Sequence, residues 1–98
     1  MNFPLGSYCM VRTADAGVFA ATLDAVSGDV AQLSNARRIY YWQGAATLSE
    51  LATRGTSAPD GCKFPAAVPS ITVRGWVELI PITPEAAATI DAVPIWTA

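Results

Sequence analysis

Residues 17–26 alternate strictly. Phe19, Ala21, Leu23 and Ala25 fall on one side of an extended chain, and Ala20, Thr22 and Asp24 fall on the other. The run ends in Ser27-Gly28-Asp29, a tight-turn signature in which glycine supplies a positive φ at little cost. A half-buried strand that reverses through two residues commits this region to an antiparallel hairpin. Further extended segments flank it. Residues 7–13 predict a strand entered through Pro4 and Gly6, with a turn at Asp15 to Gly17. Residues 30–34 return from the hairpin, Asn35 interrupts as a turn or bulge residue, and 36–42 predict a fourth strand closed by Gly44. Residues 70–82 form the longest candidate, with Ile71, Val73, Val77 and Leu79 on one face and Gly75 between them.

Two short helices punctuate this pattern. Thr47-Leu48-Ser49-Glu50 fits a capping box, with Gly55 as the stop. Thr83-Pro84-Glu85 combines an N-cap, proline at the first helical position and an acid in the first turn, opening an Ala-rich helix over 84–92 that Pro94 ends. Trp96 is left near the terminus as an anchor. Residues 56–69 predict a loop, flanked by Arg54 and Lys63, two solvated charges or a lid over a bound anion. The expected fold is mainly β: a small, strongly bent antiparallel sheet or SH3-like barrel of about five strands. A short helix follows strand four and a second helix lies at the C-terminus. Residues 1–98 suit a single domain.

Composition narrows the function. Histidine is absent, which removes His-based triads, His general bases and most zinc sites. The eight acids are scattered, no glycine-rich phosphate loop occurs, and Cys9 and Cys62 lack metal-ligand spacing, so they read as reduced, buried thiols. The chain suggests no enzyme, metal or cofactor. A net charge of −2 offers nucleic acid no long-range attraction. No apolar run spans a membrane and no signal peptide opens the chain, which predicts a cytoplasmic protein. Only 14% of residues are charged against 52% hydrophobic. A small monomer needs proportionally more polar surface, so the expected state is a homo-oligomer, a dimer or a multiple of dimers.

The candidate binding residues cluster in Asn35-Ala36-Arg37-Arg38-Ile39-Tyr40-Tyr41-Trp42, which holds two of the six cationic residues and three of the nine aromatics. Guanidinium groups beside stacking rings suit phosphates and bases. In a strand, Arg37, Ile39 and Tyr41 face one way and Arg38, Tyr40 and Trp42 the other. Arg74 and Trp76 repeat the theme, with Glu78 beside them; Arg12 reads as a solvated or paired strand arginine. The candidate ligand set is thus Arg37, Arg38, Tyr41, Trp42, Arg74 and Trp76. The same residues serve equally well to knit a strand into a core and a subunit interface.

Several short stretches carry a likeness: Val11-Arg12-Thr13, Ala16-Gly17-Val18, Thr22-Leu23, Asn35-Ala36-Arg37-Arg38-Ile39, Tyr41-Trp42, Gly44-Ala45, Thr47-Leu48-Ser49 and Ile80-Pro81. With them the chain resembles a family of small tailed-phage proteins of unknown function, over nearly its whole length. The resemblance implies a phage or prophage origin, and accessory roles such as inhibition of host defence. Two functions compete. One is a non-enzymatic binder that sequesters a cyclic nucleotide or ADP-ribose-type immune signal in the infected cell. The other is a structural or interaction protein, a virion decoration subunit or an inhibitor docking on a host protein. A small nucleic-acid binder is a weaker reading, given a pI near 4.7.

Overall fold

In the computed structural model, which describes residues 2–98, five strands form one antiparallel sheet: β1 (Tyr8–Thr13), β2 (Val18–Ser27), β3 (Val30–Arg38), β4 (Val68–Arg74) and β5 (Trp76–Pro81). The spatial order is β4-β3-β2-β1-β5. The two edge strands are therefore consecutive in the chain, with only Gly75 between them. In a flat sheet they would lie four strand spacings apart, roughly 19 Å. The two Cα steps from Arg74 to Trp76 reach at most about 7 Å. The sheet must roll up, and the strand order is that of an SH3-like barrel. Gly75, at φ 75°, closes the corner: its N–H donates to Asp29 O at 2.8 Å, and Ala14 N–H donates to Gly75 O at 2.9 Å.

The expected five strands are present, but divided differently. The stretch 36–42 is no separate strand. Its first residues continue β3, and the chain leaves the sheet at Ile39. The stretch 70–82 is two strands rather than one, split at Gly75. The first helix accordingly follows strand three. The faces change too: β5 slips in register against β1 between the Thr13–Trp76 and Arg12–Glu78 pairs, and Val77, expected on one face with Val73, is exposed while Val73 is buried.

Two apolar clusters share the central strands. Cys9, Val11, Phe19, Ala21, Leu23, Ala31, Leu33, Ala36 and Val73 fill the barrel. Met10 and Ala20, on the opposite faces of β1 and β2, pack under a second layer built from Ile39, Leu51, Ala52, Cys62, Phe64, Ile90 and Val93. β2 is thus buried on both faces over its first half, where alternation alone suggested one.

The outer layer carries α1 (Leu48–Thr53) and α2 (Pro84–Asp91). Thr47 caps α1 by accepting from Glu50 N–H at 3.1 Å; the Glu50 carboxylate reaches back to Ala46 N–H at 2.7 Å, one residue before the cap. Thr83 caps α2 through Ala86 N–H and donates to Thr53 O at 2.7 Å, which ties the end of one helix to the start of the next. Between α1 and β4 the chain makes a single 3₁₀ turn at Pro59–Gly61.

Asn35 sets the geometry of the conspicuous block. It adopts φ 47°, the left-handed region that asparagine tolerates. Across it, Ala20 pairs with Arg37 but Thr22 pairs with Ser34, so β3 uses three steps against two on β2. This bulge reverses the alternation. Ala31, Leu33 and then Ala36 face the barrel, while Arg37 and Ile39 face the outer layer. Without the extra residue, Arg37 would point into an apolar barrel.

Candidate functional site

The bulge delivers Arg37 to a cage of backbone carbonyls. Its Nε donates to Pro65 O at 3.0 Å and its NH1 to Ile90 O at 2.9 Å. NH2 donates to Phe64 O, Val93 O and Pro94 O at 3.1, 2.7 and 3.2 Å. The guanidinium also lies 5.5 Å from the Phe64 ring centroid. Ile90 O belongs to the last turn of α2, where a cation opposes the helix dipole. Burial lowers the Arg37 pKa from its ordinary value, and the facing Tyr8 and Asp91 oppose that shift. Arg37 is a staple between β3, the 64–65 segment and the C-terminal tail.

The other expected ligand residues are dispersed. Arg38 donates to Ala16 O at 2.6 Å and lies 4.5 Å from the Phe19 ring centroid, which pins the β1–β2 turn. Trp42 is half-buried in the outer layer and donates from Nε1 to Ala45 O at 3.1 Å. Trp76 donates to Gly28 O at 3.0 Å and meets Phe3 edge-on at 5.8 Å. Arg74 is exposed next to it on β4, and Glu78 pairs with Arg12 at 3.0 Å. Of the six, only Tyr41 joins an exposed aromatic surface.

That surface is built by a small ribbon outside the barrel. Tyr41 and Lys63 exchange backbone hydrogen bonds, at 3.3 Å from Tyr41 N–H and 2.8 Å from Lys63 N–H. Phe64 bridges Ile95 in parallel, and Trp96 N–H donates to Phe64 O at 3.0 Å. Arg37 holds this ribbon from below through Phe64, Pro65, Val93 and Pro94. On the outside, Tyr40 stacks on Trp96 with centroids 5.0 Å apart and planes 7° apart. The Lys63 ammonium lies 5.7 Å from the ring centroids of both Tyr41 and Trp96. Tyr40 and Ile95 are 62% and 63% exposed. Gln43 donates to the Tyr41 hydroxyl at 2.9 Å. The patch offers stacking faces around one cation, a chemistry of binding. Sequence reading missed Tyr40, Lys63 and Trp96 as a group, because 23 and 33 residues separate them and no local pattern links them.

A shallow groove of about 340 Å³ lies elsewhere, lined by Gly44, Glu50, Arg54, Gly55, Thr56 and Ser57. Its two charges face each other, Arg54 to Glu50 at 4.0 Å. Both cysteines are free and buried, Cys9 in the barrel and Cys62 in the outer layer. Burial pushes the Cys9 thiol pKa up. Among the described residues no three ligand-type side chains converge as a metal site, and no helix is long and apolar enough to cross a membrane.

Tyr8 packs in the outer layer near Arg37. Burial, then Asp91, push its pKa up to about 12, and Arg37 opposes them. The unfolded chain releases this proton near pH 10, whereas the native state keeps it to about 12. The native state therefore binds more protons in that interval, and its stability must fall as pH rises through it. Urea midpoints of wild type and Tyr8→Phe should run parallel up to about pH 9, then diverge as the wild type declines faster. Curves that stay parallel to pH 11.5 would exclude the effect.

No curated protein and no solved structure matches the chain. A family model does match, over residues 6–90, which take in all five strands and most of α2. With that share of its length matched, the chain belongs to the family described as a domain of unknown function, DUF6948.

Proposed function

We propose that this protein is a non-enzymatic phage accessory module that captures a small aromatic anion, a cyclic nucleotide or ADP-ribose-type immune signal of the infected host, and holds it without turnover. The observation that carries this reading is the grouping of Tyr40, Tyr41 and the Lys63 ammonium on one exposed surface. An aromatic face supports a nucleobase by stacking, worth about 1–3 kcal/mol per base. The ammonium supplies a point charge for phosphate. Because Arg37 and Arg38 donate to backbone carbonyls, phosphate recognition within one chain falls to Lys63. Tight sequestration needs more charge than that, so the complete site is shared between copies in a homo-oligomer, a dimer or a multiple of dimers. The protein acts in the host cytoplasm.

Calorimetric titration against cyclic di- and trinucleotides and cyclic ADP-ribose isomers tests this, alongside light scattering. Wild type should bind one of the panel as an oligomer. Lys63→Ala and Tyr40→Ala should each weaken binding about tenfold, the scale of one charge contact or one stacking contact. No binding across the panel would reject the reading, and a lone 10.3 kDa species would reject the shared site.

One observation favours a second reading. Ile95 extends the aromatic surface with exposed aliphatic area, and Arg37 and Arg38 direct their donors to backbone carbonyls. Such a patch also suits docking, as a virion decoration subunit or an inhibitor of a host protein. Failure of the nucleotide panel together with loss of assembly or host-protein binding in Tyr40→Ala would favour it.

A further inference from the structure

Trp96 covers one face of Tyr40 and shares the Lys63 ammonium. Its ring lies parallel to Tyr40, 5.0 Å away, and the Lys63 ammonium sits over it at 5.7 Å. These are the two groups that the proposed ligand needs, the stacking face and the cation. The segment that carries Trp96 is lightly held. Residues 94–98 are all exposed. Besides the ring contacts and the Arg37 bonds to Val93 O and Pro94 O, the hydrogen bonds that attach it among the described residues are those of the Phe64–Ile95 bridge, with Trp96 N–H donating to Phe64 O.

We infer that Trp96 is a built-in stand-in for the ligand's aromatic ring, and that an aromatic anion binds Tyr40 and Lys63 by displacing it. The inference rests on the binding reading above. Arg37 fixes the hinge: it holds the carbonyls of Val93 and Pro94 in place, so the tail beyond them swings while the outer layer stays packed. A stacked pair and an exposed cation–π contact together favour the closed tail by roughly tenfold. A ligand that requires the open tail then loses that factor in apparent affinity, and removing the indole restores it.

The test uses the 98-residue chain, with AMP and adenosine as probes. Calorimetry should show that Trp96→Ala binds AMP about tenfold tighter than wild type. The double variant Trp96→Ala/Tyr40→Ala should lose that gain, and Lys63→Ala should weaken AMP but not adenosine, which lacks a phosphate and gains slightly from the lost Lys63–Trp96 contact. Proton NMR supplies the second readout. The indole N–H of Trp42 and Trp76 are bonded to Ala45 O and Gly28 O. On addition of AMP to wild type, only the Trp96 indole resonance, assigned by its loss in Trp96→Ala, should shift. If wild type binds and Trp96→Ala binds equally or less tightly, Trp96 is a wall of the site; the displacement fails and the binding reading stands. If neither protein binds AMP or adenosine, the displacement fails, and the panel of cyclic nucleotides and cyclic ADP-ribose isomers decides the binding reading separately.

Discussion

Arg37→Ala should destabilise the fold by about 3 kcal/mol and lower Tm by roughly 15 °C. Five hydrogen bonds are lost at once, from all three guanidinium nitrogens to carbonyls of two other segments. A hydrogen bond involving a charged group contributes about 1.5–3 kcal/mol when removed, but the bonds of one side chain are not additive. Arg37 is only partly buried, so water reaches some of the abandoned carbonyls and the total stays well below a simple sum. In a domain of about 100 residues each kcal/mol moves Tm by about 4–8 °C. Arg37→Lys should recover little. Lysine presents its donors from one nitrogen, whereas these carbonyls surround a planar fork. Arg38→Ala is the control, since Arg38 makes one hydrogen bond and a contact with Phe19; it should cost about 1 kcal/mol. Urea and thermal unfolding of the three variants measure this. An Arg37→Ala protein within 1 kcal/mol of wild type, or an Arg38→Ala protein equally damaged, would overturn the staple.

Gly44→Ala should cost about 3–4 kcal/mol. Gly44 has φ 78°, where a Cβ alone costs about 1–2 kcal/mol. The added carbon would also stand 2.5 Å from Ala58 N, 2.6 Å from Thr56 Oγ1 and 2.8 Å from Ser57 N. Two of these are backbone atoms and cannot rotate away. Gly44 O accepts from Ser57 N–H at 3.1 Å, so relieving the clash pulls apart the two segments that this bond joins. It also disturbs the Thr56 Oγ1 donation to Gln43 O at 2.6 Å. Gly28→Ala separates the two costs. Gly28 has φ 57° with open space around its missing Cβ, so it should lose only the conformational part, about 1–2 kcal/mol. Equal losses at the two positions would show that packing at Gly44 contributes nothing.

The local signals were legible because their physics is local. Asn35 read as a turn or bulge residue and is a left-handed bulge. Thr47 and Thr83 read as helix caps and accept the expected amide protons. Gly28 read as the pivot of a tight hairpin, and Ser27 pairs with Val30 around it. The candidate site was far less legible. Only Tyr41 of the expected residues faces the exposed patch, because a side chain's partners depend on which layer the bulge turns it toward. Arg37 and Arg38 are adjacent in sequence and of one residue type, yet one clamps the outer layer and the other pins the β1–β2 turn.

Turns, caps, bulge and strand-forming segments follow from the sequence alone, since each depends on the φ preference, hydrogen-bonding reach or alternation of residues within a few positions of one another. Where the strands divide does not. The stretch 70–82 reads as one extended pattern in which Gly75 can supply a bend, and nothing local requires that bend to divide it into two strands. The split follows from barrel closure: Arg74 pairs with Val30 on β3 and Trp76 with Thr13 on β1, so the residues flanking Gly75 belong to β4 and β5, the opposite edges of the same sheet. The aromatic patch has the same origin. Tyr40, Lys63 and Trp96 meet where Arg37 ties the segments around Phe64 and Pro94 to β3, within the outer layer packed on the barrel. Contacts between residues so distant in sequence cost chain entropy that no local preference offsets, so the tertiary structure alone decides them.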